Sequence, residues 1–131
     1  MSGPASLDHV GLVARSLEPL LAAARRLGFA PTEPKPLLGR DSATGEARSL
    51  GQSSAHLVFE SGYVELSAVH DPSPAHHLAA YLRRHEGLHI LALGVDDIAA
   101  AHARCRAAGL PVTAVAGVPA EVMGIGPVPA A

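Results

Sequence analysis

The sequence predicts an α+β domain built from two related modules, the second cut short, and three observations carry that prediction. The run from Leu7 to Glu18, closed by Gly28, reads as one strand followed by one helix. A copy of this unit lies 81 residues further on. Between them, residues 54–60 and 63–69 flank Ser61-Gly62, a two-residue connection suited to a tight β-hairpin.

In the first unit His9, Gly11 and Val13 alternate with Val10, Leu12 and Ala14, so one strand face is bulky and apolar while the other sets a histidine beside a glycine. Ser16 stands at the helix start, where its hydroxyl can accept orphan N–H groups. Leu17, Leu20, Leu21, Ala24 and Leu27 form an apolar stripe, and Gly28 supplies a left-handed stop. Displaced by 81 residues, His9 falls on Ile90, Ser16 on Asp97, Leu21 on His102, Ala24 on Cys105 and Gly28 on Gly109. Coincidence of cap, stripe and stop marks a duplicated unit better than a few shared letters do.

Taken in order, module one covers about residues 7–70, a linking helix about 74–86, an incomplete module two about 88–116, and a Pro/Gly-rich tail 117–131, all within one domain. Phe29 and Ala30 start a short second strand that Pro31, Pro34 and Pro36 confine to an edge. The stretch from Leu38 to Gln52 has no period and reads as a loop, over a cavity mouth or simply on the surface. In the hairpin, pairing Glu60 with Tyr63 puts His56, Val58, Glu60, Tyr63, Glu65 and Ser67 on one face and Leu57, Phe59, Val64, Leu66 and Ala68 on the core face. The linking helix runs from Ala75 to His85, and residues 111–116 make one more strand. Repeats of His56 and Glu65 would stand at positions 137 and 146, past the last residue, so the second module is expected to be completed by another chain or left partial. The sheet then has an open edge, which favours a homodimer.

Composition excludes several classes. There are two Phe and two Tyr, no Trp, a net charge of −2 and a single lysine, Lys35, so neither stacking platform nor basic stripe exists for nucleic acid. The N-terminus lacks the charged and apolar regions of a secretion signal, no apolar run reaches the ~18 residues of a membrane span, and a cytoplasmic location is expected. One cysteine, Cys105, precludes an internal disulfide.

The wording LDHVGLVARSLE, the later GYVELSAV, and GLHILALGVDDIAAAHARCRAAGL resemble the glyoxalase-like branch of the vicinal oxygen chelate superfamily, over roughly residues 7 to 112. The resemblance implies paired βαβββ modules whose sheets curl around a shared cavity, often with a divalent metal (Zn, Ni, Mn or Fe) held from the first and last strands of each module. It implies His9 and Glu65 as metal ligands and pairing of modules across chains. A catalytic metal usually needs three protein ligands. His56 shares the face of Glu65 through the hairpin register and is one candidate for the third. His89 is the other, but the repeat aligns Ile90 with His9, and a one-residue offset turns His89 to the opposite face unless a bulge near Gly94 resets the register. Gly11, Val13, Val58, Tyr63 and Ser67 share the inward face and are candidate ligand contacts, with Glu60 as a candidate base. His85-Glu86-Gly87-Leu88-His89 spells HExxH, but Gly87 breaks the continuous helix that a zinc peptidase needs. The leading reading is a small-molecule-binding domain. The alternatives are a metal-dependent lyase, isomerase or dioxygenase using His9 and Glu65, a metal-free sequestering protein, and an assembly module.

Overall fold

The computed structural model of the chain describes residues 6–40, 43–71 and 76–115. The tail 117–131, Ala116 and the Pro-Ser-Pro stretch after Asp71 lie outside the described residues. The elements are β1 (Ser6–Ala14), α1 (Leu17–Arg26), β2 (Lys35–Arg40), β3 (Ala47–Phe59), β4 (Gly62–Val69), α2 (Ala79–Leu82), β5 (Gly87–Gly94) and α3 (Ile98–Ala107). They form one five-stranded sheet in the order β2-β3-β4-β1-β5. Strand β1 pairs parallel with β4 on one side and antiparallel with β5 on the other. Elements β1 to β4 with α1 make a whole βαβββ module, and β5 with α3 begin a second one.

The repeat holds to the residue: α3 begins and ends 81 positions after α1. Gly28 and Gly109 both close their helices at positive φ, +91° and +76°, a conformation that glycine adopts without strain. The caps differ. Asp97 accepts the N–H of Ala100 at 3.0 Å, whereas Ser16 holds the N-cap position with extended backbone and makes no side-chain cap bond.

Helix α1 turns its apolar stripe onto the sheet. Leu21 and Ala24 bury against Ala55, Leu57 and Leu66, with Leu12, Leu17, Leu20 and Val64 around them. Leu27, expected on the stripe, is 75% exposed because the helix has already ended. A second cluster, Val13, Val69, Leu78 and Leu82, sits where α2 covers one end of the opposite sheet face. Helix α3 has no buried residue.

Several expectations need correction. Phe29 and Ala30 are not a strand: the N–H of Phe29 bonds Ala24 O at the helix end, and β2 begins only at Lys35. Much of the expected loop 38–52 is the β2–β3 ladder, bent at Gly51, whose φ of +68° carries the chain past Asp71. The linking helix is a single turn. Residues 111–115 form no strand; the carbonyl of Thr113 instead bonds His102 Nε2 at 2.8 Å.

Candidate functional site

The face of the sheet opposite α1 carries the polar residues. The hairpin turns at Glu60-Ser61, so Val58 faces Tyr63, His56 faces Glu65 and Ser54 faces Ser67. This register lies two residues from the expected one. A shift of two keeps every side chain on its face, and His56, Val58, Tyr63, Glu65 and Ser67 share one surface as expected. Glu60 does not: it is exposed in the turn, off the sheet.

Ladder pairing then orders the face into rows. One row runs Val58–Tyr63–His9–Ala92, the next His56–Glu65–Gly11–Ile90, and a third Ser54–Ser67–Val13–Gly87. His89 also belongs here. The β1–β5 register slips between Gly11 and Leu12, opposite Ile90 and Leu88, so His89 is the extra residue of a bulge. Its Nε2 lies 3.2 Å from where a Cβ on Gly11 would stand, so His89 faces the row of Glu65, contrary to the expectation that it points away. A second slip lies at Asp8, opposite Leu93 and Ala92 near Gly94, but it is the one at His89 that turns this ring inward, and Gly11 leaves the room the ring occupies.

Glu65 is the buried carboxylate at the centre, 5% exposed. Ser67 Oγ donates to its Oε1 at 2.7 Å, and Ser54 Oγ lies 2.6 Å from Ser67 Oγ, so two hydroxyls donate in series toward the acid. On the other side His56 Nε2 stands 3.9 Å from Oε2. His9 stacks on Tyr63 with centroids 4.4 Å apart, and its Nδ1 bonds Asp8 Oδ2 at 2.7 Å. Val13 and Ser67 are fully buried, and Val58 lies at the exposed rim.

Buried polar atoms without partners are rare in folded proteins and call for an explanation. Among the described residues they are Gln52 Oε1, His56 Nε2, His76 Nε2 and His89 Nε2. The first two belong to the polar face of β3, His89 faces Glu65, and His76 precedes the helix that covers the end of this face. Sequence reading missed Gln52, which ends the stretch read as a loop, and Ser54, which it placed in the hairpin strand without assigning it to a face. Their even spacing from His56 was the available signal.

Burial pushes the pKa of His56 down, against the opposing pull of Glu65 and with help from His9 and Lys35. Burial also lowers His89, again opposed by Glu65, and lowers His77, where His76 adds to the effect. Burial, with Asp8 and Glu65, raises Tyr63 to about 12. The three imidazoles thus hold fewer protons folded than unfolded. The stability they contribute is full above the ordinary value of 6.5 and is lost as pH falls through their lower folded values. Thermal melts should show the midpoint falling once pH drops below about 6.5. A midpoint that is flat through that range would contradict the burial of these rings.

A divalent metal meets an incomplete set. Imidazole and carboxylate suit such ions, and His56 with Glu65 offers two donors. No group of three His, Cys, Asp or Glu able to hold a metal occurs among the described residues. His9 holds Asp8 through Nδ1 and keeps Nε2 for a ligand, but it makes no group of three with His56 and Glu65, and the repeat puts Ile90 where a second inward histidine would match it. The described residues do not by themselves fit a catalytic metal.

The strand order and the paired units define a fold of the vicinal oxygen chelate superfamily, and solved structures agree. The chain is similar to a hypothetical protein from Bacillus halodurans C-125 (TM-score 0.59, 21% identity, 82% of this chain and 70% of that one). It is similar to a methylmalonyl-CoA epimerase in complex with methylmalonyl-CoA and NH4+ (0.58, 21%, 82% and 72%). A methylmalonyl-CoA epimerase from Mycobacterium tuberculosis matches at 0.56 and 25% identity, over 79% of this chain and 64% of that one. No curated protein sequence matches. The family model described as "Glyoxalase-like domain" matches residues 7–125, and the chain belongs to that family.

Proposed function

We propose that this glyoxalase-like domain binds a small polar molecule on the face centred on Glu65. The observation that carries the reading is the pair of buried, unpartnered imidazole nitrogens beside one carboxylate, His56 Nε2 and His89 Nε2, with the unpartnered Gln52 Oε1 two ladder rows away on the same face. Left unpaired, each costs roughly 1–3 kcal/mol, a cost that a guest offering hydroxyl, carbonyl or amine groups removes. Gly11 admits the His89 ring into the floor, Tyr63 and His9 form a flat wall, Val58 stands at the rim, and Val13 and Ser67 support the floor from within. Ser54 and Ser67 hold the carboxylate by one oxygen and leave the other toward His56 and the guest.

A divalent cation would meet Glu65 and His56 on this face, with His9 offering its Nε2 outside their reach, so the residues present leave its ligand set incomplete. Glu60, exposed in its turn, stands as a base only for a guest long enough to reach the hairpin tip. Thermal-shift screening of small polar molecules against the chain and its Glu65→Met variant tests the reading. Hits that lose their effect in the variant support it, and hits indifferent to the change would sink it.

We infer as well that two copies pair through β5. Its Leu88, Leu91 and Leu93 are 55%, 64% and 57% exposed, and the strand carries no charged residue and no proline. The other edge, β2, begins with Lys35 and Pro36, which discourage pairing. With one edge blocked and the other unpaired among the described residues, an isologous β5–β5 dimer is the expected assembly. Light scattering should give twice the chain mass, and a monomer at micromolar concentration would refute it. No helix among the described residues is long and apolar enough to cross a membrane.

A further inference from the structure

A second set of polar groups lies past the Gln52 end of this face. Arg48, Ser49 and Gly51 of β3, Asp71 just after β4, and His76 and His77 ahead of α2 line one hollow of about 360 Å³. Its hydrogen-bonding chemistry is one-sided. His76 Nδ1 accepts the N–H of Leu78 at 3.1 Å, so a neutral ring carries its proton on Nε2. That Nε2 is buried and has no acceptor. Ser49 Oγ likewise accepts the N–H of Gly51 at 3.1 Å, which leaves its own hydroxyl hydrogen to give. The guanidinium of Arg48 enters no ion pair among the described residues, and His77 stacks on His76 with centroids 4.6 Å apart. The donors are therefore a guanidinium, a hydroxyl and an imidazole N–H, and the one opposing charge is the carboxylate of Asp71.

We propose that this hollow is an oxyanion subsite, in which Arg48, Ser49 and His76 hold a carboxylate or phosphate group. Its ligands are small organic acids or phosphate esters, and buried Gln52 and Ser67 with the packed Val69, Leu78 and Leu82 stand between it and Glu65. Planar guanidinium and neighbouring hydroxyl and N–H donors match the oxygens of either anion. Of the rings at the hollow, His77 is the one poised to take up a proton on binding, since burial and the neighbouring His76 hold its pKa down; Arg48 is fixed in charge, Asp71 opposes, and His89 of β5 is coupled to His77 by charge.

The test uses inorganic phosphate and acetate as probes on the full chain, with the ring resonances of His76 and His77 followed by NMR and chloride at matched ionic strength as control. Phosphate or acetate should move the resonances of both rings at millimolar concentration and raise the apparent pKa of His77. Acetate affinity should weaken as pH rises through the folded pKa of His77. Arg48→Ala and the better length-matched Arg48→Gln should each weaken binding about tenfold or more, whereas Arg48→Lys should recover part of the loss. Stronger binding of phosphate assigns a phosphate ester, and equal binding assigns a carboxylate. Rings that chloride shifts equally, that neither probe shifts, or that respond alike in all three Arg48 variants would overturn the subsite. Glu65→Met should leave probe binding intact, so failure at the Glu65 face and failure of the subsite give different results.

Discussion

Gly62→Ala is expected to destabilise the domain by on the order of 3–4 kcal/mol, while Gly28→Ala costs only about 1–2 kcal/mol. Both glycines have positive φ, +113° and +91°, so both substitutions incur the left-handed penalty of an L-residue. Only Gly62 faces a second obstacle. A Cβ there would stand 2.6 Å from the carbonyl oxygen of Asp8, whereas at Gly28 nothing lies within 4 Å. The obstacle at Gly62 is backbone, which cannot rotate away as a side chain can. Relief requires β4 to move off β1 where their ladder begins, at His9 and Tyr63, and that ladder also aligns Leu12 with Leu66 in the main core. Urea unfolding of the two variants measures the difference. Equal midpoints would mean that the β1–β4 contact is not set by this close approach.

The parts of the fold legible in the sequence were those fixed by local chemistry with a period. Caps and stops at Ser16, Gly28, Asp97 and Gly109 placed α1 and α3, and alternation in His9–Ala14 and in the hairpin assigned the faces. The hairpin register was legible only modulo two, because alternation says which face a residue takes and not which residue it meets. This is why Glu60 was put on the face and stands in the turn instead. The β2–β3 ladder was not legible. Its leucines, Leu37, Leu38 and Leu50, keep no alternation among the charged and small residues around them, and its order comes from pairing along a sheet edge, with a glycine bend at Gly51 that no hydrophobic pattern announces. For the candidate site, Glu65, His56 and His9 were identifiable as residues on one face, whereas His89 was not. A bulge is a property of two strands together, and the repeat that aligns Ile90 with His9 is silent about it.

Glu65→Met should separate stability from binding, leaving the unfolding free energy unchanged or raised by about 1–2 kcal/mol while guest affinity falls about 30-fold or more. The carboxylate is 7% exposed at its side chain, and its desolvation is a standing cost of the folded state, only partly offset by Ser67 and the distant His56. Methionine has similar length and no charge to desolvate. Ser67 then loses an acceptor, but Ser54 Oγ, 2.6 Å away, can take its hydrogen because either hydroxyl can be the donor. His56 loses the one neighbour that raises its pKa, so its titration should move lower still, a shift that ring NMR reads without any guest. A fold indifferent to the substitution, paired with lost binding and a lowered His56 pKa, identifies Glu65 as a group kept for what it binds. Loss of several kcal/mol of stability with unchanged guest affinity would make the carboxylate a structural hydrogen-bond acceptor for the serine pair and remove the argument for a binding face.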